Sequence, residues 1–177
     1  PATDWDEATF ETHRPRLFSI AYRMLGSASE AEDVIQDTWL RARQDEHPDV
    51  RSARAYLTTI VTRLCIDHLR SAARTRMEYP GPWLPEPLAE PNQESAELAS
   101  SLTTAFLVLL EQLAPTARAV FLLREVFELD FDEIARSVGK SEANTRQIFT
   151  RARGPLRDSR PRFTVSRRES EEIVRRF

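Results

Sequence analysis

The sequence predicts an all-α protein made of two small helical domains joined by a proline-rich linker. Three observations predict it. Apolar residues recur at intervals of three and four over several long stretches, the period of a helix with one buried face. Only 4 glycines occur in 177 residues. Five of the 11 prolines, Pro80, Pro82, Pro85, Pro87 and Pro91, fall in one short stretch. Each lacks a backbone donor and fixes φ, so that stretch is a semi-rigid spacer rather than a helix. The expected division is residues 1–78, a linker at 79–93, a second domain at 94–158, and the start of an extension at 159–177.

In the first domain, residues 5–14 read as a short helix with Trp5, Ala8 and Phe10 or His13 inward. Pro15 suits the first turn of the next helix. That helix carries Leu17, Phe18, Ala21, Tyr22 and Leu25 and ends at Gly26. Ser29, with Glu32 three residues on, has the spacing of a capping box for a third helix. Ala31, Val34, Ile35, Thr38, Trp39 and Ala42 form its inner stripe, and Glu32, Asp33, Gln36, Asp37 and Leu40 lie towards the other side. After a break at His47-Pro48-Asp49, residues 54–74 read as a long fourth helix. Its inner stripe is Leu57, Ile60, Val61 and Leu64, with His68 at its margin.

In the second domain, residues 94–113 form a helix with Leu98, Leu102, Ala105, Phe106, Leu109 and Leu113 in register. Pro115 opens the next helix, which buries Val120, Leu123 and Val126 or Phe127. Residues 130–153, DFDEIARSVGKSEANTRQIFTRAR, then read as a helix-turn-helix. Asp130 and Glu133 have capping-box spacing. Ile134, Ala135 and Val138 face inward, Gly139 supplies a positive φ, and Ser141 caps the second helix. Thr145 and Ile148 turn back onto the first. Gly154-Pro155 ends the second helix. Its outer face keeps Glu142, Asn144, Arg146, Gln147, Thr150 and Arg151, residue types that suit base edges and phosphates. A helical hairpin with a solvated polar face would share this pattern. A last helix begins near Ser166, with Ile173, Val174 and Phe177 as an apolar edge.

Apolar residues make up 41% of the chain, enough for a packed core, and the net charge of −3 does not itself suggest nucleic acid. The arginines crowd residues 51–76 and 146–168, however, and local fields matter more than the sum. Cys65 stands alone in an apolar run, so a buried, inert thiol in a reducing cytoplasm is expected. No signal peptide and no membrane-length apolar run appears. His13, His47 and His68 lack ligand spacing, no phosphate-binding glycine loop occurs, and no catalytic constellation is present; neither metal, cofactor nor enzyme activity is expected. The long fourth helix carries Thr59, Arg63, Arg70 and Arg74 about one turn apart, with Tyr56 and Trp39 nearby. That face suits single-stranded nucleic acid, where arginines meet phosphates and planar groups stack on bases; an ordinary charged outer face is equally consistent with it.

Taken together, these residues resemble an extracytoplasmic-function sigma factor, the promoter-recognition subunit of bacterial RNA polymerase, over about residues 8–158. AEDVIQDTWLRA, residues 31–42, resembles the region-two helix that docks on core polymerase. The resemblance implies that Asp33, Gln36, Asp37 and Leu40 make that contact. AYLTTIVTRLCIDHLR, residues 55–70, resembles the helix that reads and melts the −10 element, which implies roles for Thr59, Thr62, Arg63, Asp67, Arg70 and Arg74. Residues 113–153 resemble region four, which implies −35 contacts from Ser141, Glu142, Ala143, Asn144, Arg146, Gln147, Thr150 and Arg151. Arg63 stands where many members carry Asn, and Thr145 where an aliphatic residue is usual. WLPEP, residues 83–87, resembles the linker motif of a subgroup with a fused carboxy-terminal SnoaL-like domain. That domain is then a regulatory partner within the full-length protein. The chain stops at Phe177, about where its first helix would begin, so a chain cut short there is expected. Trp83 and Leu84 are expected to dock at a domain boundary.

The sigma reading implies cytoplasmic transcription initiation, with core polymerase and promoter DNA as partners and no membrane. A stand-alone helix-turn-helix regulator would share the recognition helix but needs a dimer surface for two half-sites, and no heptad seam is visible. A module that sequesters another factor through its acidic helices is a third possibility.

Overall fold

A computed structural model describes residues 7–44, 52–76, 106–108 and 110–158. The described residues are helical, with no strand among them. Trp83, Leu84, the linker and residues 159–177 lie outside the described part, as does most of the helix expected over residues 94–113, of which helical residues 106–108 and 110–111 are described.

Three helices make the first domain: α1 (Glu7–Leu25), α2 (Ala28–Gln44) and α3 (Ala53–Arg76). They pack against one another pairwise. α1 is one helix where two were expected, with Pro15 inside it. An interior proline costs about 3 kcal/mol. Phe10, Leu17, Ile20, Ala21 and Met24 lie on both sides of it and are all buried. Burying one such side chain contributes about 1.5–3 kcal/mol, so the shared buried face outweighs the local breaker. α2 starts earlier than expected. Ser27, not Ser29, is its cap: the Glu30 amide donates to Ser27 Oγ at 3.4 Å and the Ala31 amide to Ser27 O at 3.0 Å. Gly26 at φ 78° makes the corner before it. Ser52 caps α3, its Oγ accepting from the Ala55 amide at 3.3 Å. The expected stripe of Leu57, Ile60, Val61 and Leu64 is buried, and so is Cys65.

The second domain contains α4 (Pro115–Glu125), α5 (Phe131–Val138) and α6 (Glu142–Asp158). Pro115 occupies the first turn of α4, as expected. Val120 and Leu123 are buried, Val126 is exposed and Phe127 is half-buried. Asp130 takes the cap position of α5 without a side-chain capping bond. Its carboxylate lies instead 3.4 Å from Arg124, whose guanidinium also bonds Leu129 O at 2.7 Å. α6 runs through Gly154 and Pro155 to Asp158, past the expected stop.

The two domains pack together. α4 lies on α1 and α3, and α5 lies on α3, so the buried apolar residues of both form one continuous cluster. Arg118, 5% exposed, ties the domains at their centre. Its Nη1 donates to Met24 O at 2.7 Å, at the end of α1, and its Nε to Leu110 O at 2.9 Å. The α1 carbonyl thus gains the partner that a helix end lacks. Arg16 and Arg23 of α1 lie over the Phe127 ring, at 5.2 and 5.9 Å from its centroid. Burial lowers the pKa of Arg16, Arg54 acts in the same direction and Glu133 opposes them; a guanidinium nonetheless stays charged.

Candidate nucleic-acid interface

Residue chemistry builds the helix-turn-helix in four steps. Gly139 adopts φ 65° and ψ 42°, which turns the chain at the end of α5. Ser141 Oγ accepts from the Asn144 amide at 3.3 Å and starts α6. Thr145 is fully buried and returns its hydroxyl to Ser141 O at 2.9 Å. A row of rings then fixes the crossing: Phe149 meets Phe131 edge-on at 5.5 Å and stacks on Phe121 at 6.3 Å. The aromatic row was not singled out in the sequence, although Phe121, Phe131 and Phe149 all sit at inward phases.

Every residue that the resemblance implied for the −35 contact is exposed: Ser141, Glu142, Ala143, Asn144, Arg146, Gln147, Thr150 and Arg151. Arg146 is preset. Its guanidinium lies 4.4 Å from the Phe131 ring centroid and pairs with Glu142 at 2.6 Å. An arginine packed on a ring loses less freedom on meeting a base or phosphate than one swinging in water.

The face of α3 is arranged differently. Thr59 is half-buried, and its hydroxyl lies 3.2 Å from that of Ser137 on α5. Arg63 Nε donates to Ser137 O at 3.1 Å and Nη2 to Arg136 O at 3.0 Å. Arg70 Nη2 donates to Thr116 Oγ1 at 3.2 Å, and Asp67 pairs with Arg70 at 3.7 Å. Thr62 is fully buried, and its hydroxyl has no hydrogen-bond partner. This corrects its expected place on an open face: one turn beyond Thr58, it falls on the inner side of α3. Arg74 is in the helix, but its side chain lies outside the described part. Tyr56 lines a cavity of about 280 Å³ between α3 and α5, while Trp39 packs on Phe10 at 4.9 Å in the groove between α1 and α2. Of the two aromatic residues expected near the basic face, Tyr56 thus lies beside Thr59 and Trp39 lies in the other groove. Ser137 was missed in the sequence; its signal is a small polar residue one turn beyond Ile134, on the buried side of α5.

On α2, Asp33, Gln36, Asp37 and Leu40 are all exposed, Leu40 at 47%. Asp33 and Gln36 border a groove of about 360 Å³ that also takes in Glu32 and Trp39. Glu32 is tied across it to Arg14 of α1 at 2.6 Å. A single exposed leucine beside carboxylates is compatible with a solvated rim as much as with a protein-binding surface. Cys65 is sealed inside α3, where burial pushes its thiol pKa well above the ordinary value. No group of three or more potential metal ligands occurs among the described residues. No described helix is long and apolar enough to cross a membrane.

Comparison with known proteins accords with this geometry. Sigma-70 region 2 matches residues 9–75, and Sigma-70 region 4 matches residues 103–154. The ECF RNA polymerase sigma factor SigJ of Mycobacterium tuberculosis is 42% identical over 151 residues, which are 81% of this chain and 47% of SigJ. The chain thus spans about half the length of that relative. The ferric citrate uptake sigma factor FecI of Escherichia coli is 32% identical over 149 residues, 82% of this chain and 85% of FecI. The crystal structure of M. tuberculosis SigJ superimposes with a TM-score of 0.65 at 34% identity, covering 96% of this chain and 57% of that one. With both regions matched in one chain and relatives of this similarity, one assignment is left: the chain belongs to the extracytoplasmic-function sigma factors of the sigma-70 family.

Proposed function

We propose that this chain binds core RNA polymerase and directs promoter recognition at the −10 and −35 elements. The observation that carries the reading is the outer face of α6: eight exposed, mostly polar positions on a capped helix whose inner side is locked by rings. A helix so presented fits the major groove. α3 takes the opened strand near the start site, with Arg63 and Arg70 as its cationic contacts. The exposed row of Asp33, Gln36, Asp37 and Leu40 holds the chain to polymerase.

In the full-length protein, a SnoaL-like domain following region four regulates the two reading modules, and Trp83 of the WLPEP linker docks to set their spacing. The support is the linker sequence itself, together with the extra length of SigJ beyond the matched part.

Capture of the chain by core polymerase tests the central reading. The wild type is retained stoichiometrically. Asp37→Arg, at an exposed position that leaves the core untouched, reduces retention at least about tenfold, as expected when a charge is reversed in an interface. A stand-alone regulator would be indifferent to that change and would not be retained at all. Equal retention of both proteins would remove α2 as the docking surface.

A further inference from the structure

Arg146 is held by its face and by one edge, and one edge is left over. Its guanidinium lies over the Phe131 ring, 4.4 Å from the centroid. Nε and Nη2 both donate to Glu142 Oε1, at 3.0 and 2.6 Å. Nη1 and the second Nη2 proton have no acceptor among the described residues. That free edge carries the two parallel donors that guanine O6 and N7 accept. A phosphate presents oxygens on every side and accepts a mobile arginine. A base edge accepts one only in the plane of the pair, so a guanidinium oriented before contact suits a base. The ring that orients it is itself fixed. Phe131 is half-buried at the start of α5, and Phe149 meets it edge-on at 5.5 Å. Arg124 also lies over it, at 4.9 Å, and is tied at the α4–α5 corner to Leu129 O at 2.7 Å. A residue of the first helix of the pair thus sets the direction of a side chain on the second.

Resting on the −35 reading proposed above, we infer that Phe131 is a specificity-determining positioning residue: its ring, together with Glu142, aims the free edge of Arg146 at one guanine. Arg146 then reads a base and is not a phosphate clamp. Phe131 itself touches no DNA; it acts through the arginine. Glu142 keeps the other edge of the guanidinium occupied, so that a passing phosphate meets a carboxylate there instead of two donors. The price of freezing a long side chain is met in the free protein rather than on the promoter. Loss of the ring therefore costs discrimination between bases before it costs attachment to DNA.

Base-analogue substitution tests this on the complex with core polymerase. A duplex is selected by that complex from a random-sequence pool, and each of its guanines is replaced in turn by 7-deazaguanine, which lacks the N7 acceptor. At one guanine the wild type should lose about tenfold in affinity, within the range of a bidentate base contact. Phe131→Tyr, which keeps the ring, should show the same loss. Phe131→Leu, which keeps an apolar side chain without a ring, should show about twofold or less there, with the losses at every other guanine as in the wild type. Glu142→Ala leaves the buried side of the helix pair untouched and decides the matter should Phe131→Leu fail to fold. It should bind the unselected pool more tightly, since a carboxylate near phosphates is gone, and yet show a smaller loss at the same guanine. The inference is overturned if no guanine is sensitive in the wild type, or if both variants keep the full loss. Losses that fall together at every guanine in Phe131→Leu also overturn it, since they mark a loosened fold. Failure of the wild type to be captured by core polymerase sinks the sigma function and this inference with it; capture with unchanged losses in the variants sinks the inference alone.

Discussion

Cys65 shows how much a single buried atom can record. Its thiol lies in the core of α3 with no exposed surface, and burial raises its pKa far above the ordinary 9.0. Below about pH 9 the folded and unfolded chains both carry the proton, and the group contributes nothing to the pH dependence. Above that value the unfolded chain releases a proton that the folded chain keeps. Stability then falls as pH rises, at up to about 1.4 kcal/mol per pH unit for one site. Cys65→Ala removes that component. In urea melts between pH 8 and 10.5, the wild-type and variant stabilities should converge or cross above about pH 9, and parallel curves would refute the buried, neutral thiol. Its inert character was legible in the sequence from the apolar run around it. The role of Arg63 was not. Its partners stand 73 and 74 positions away in the chain, and no local pattern specifies which carbonyl an arginine will find.

Elements were legible where a local cause decides them. Gly139 and Ser141 do what their chemistry dictates, and the inner stripes of α2 and α3 are buried as read. Two of the errors are of one kind. Pro15 and the Gly154-Pro155 pair are local breakers that lie inside helices; at Pro15 the buried side continues through Leu17 and Ile20 and carries the helix past the breaker. The two glycines allow a matched prediction. Apart from the chain neighbours, nothing lies within 4 Å of a Cβ added at either. Gly139 needs its left-handed conformation, so Gly139→Ala should cost about 1 kcal/mol, the backbone strain less the gain from a stiffer unfolded chain. Gly154 lies within α6 directly before Pro155. Helix propensity favours Ala there by about 0.5–1 kcal/mol, but the proline ring clashes with a Cβ on the helical residue before it, so Gly154→Ala should stay within about 0.5 kcal/mol of the wild type. Urea denaturation should therefore move Gly139→Ala well below the wild type and Gly154→Ala little. A loss at Gly154 equal to that at Gly139 would mean that the turn or the end of α6 is not as described.

For the molecule as a whole, charge distribution decides what it can do alone. The chain carries a net charge of −3, while among the described residues the exposed cations at the start and along α6 are Lys140, Arg146, Arg151 and Arg153. Two of them are engaged internally, Arg146 with Glu142 at 2.6 Å and Arg153 with Glu125 at 3.7 Å. Phosphate neutralisation supplies most non-specific affinity. The isolated chain should therefore hold duplex DNA weakly, and selectivity should emerge only when polymerase adds its own contacts. The salt dependence makes this quantitative. If all four cations meet phosphates, log K falls against log salt with a slope of about −3.6; if the two internal pairs persist, the slope is about −1.8. Lys140→Gln, which removes one cation outside both pairs, should flatten either slope by about 1. Fluorescence anisotropy on a labelled duplex at several salt concentrations reads both values. A slope near −3.6 means that DNA strips Arg146 from Glu142 and Arg153 from Glu125, so those pairs act as holders that keep the arginines ordered until the groove is reached. A slope much steeper than about −3.6 would require cations beyond these four.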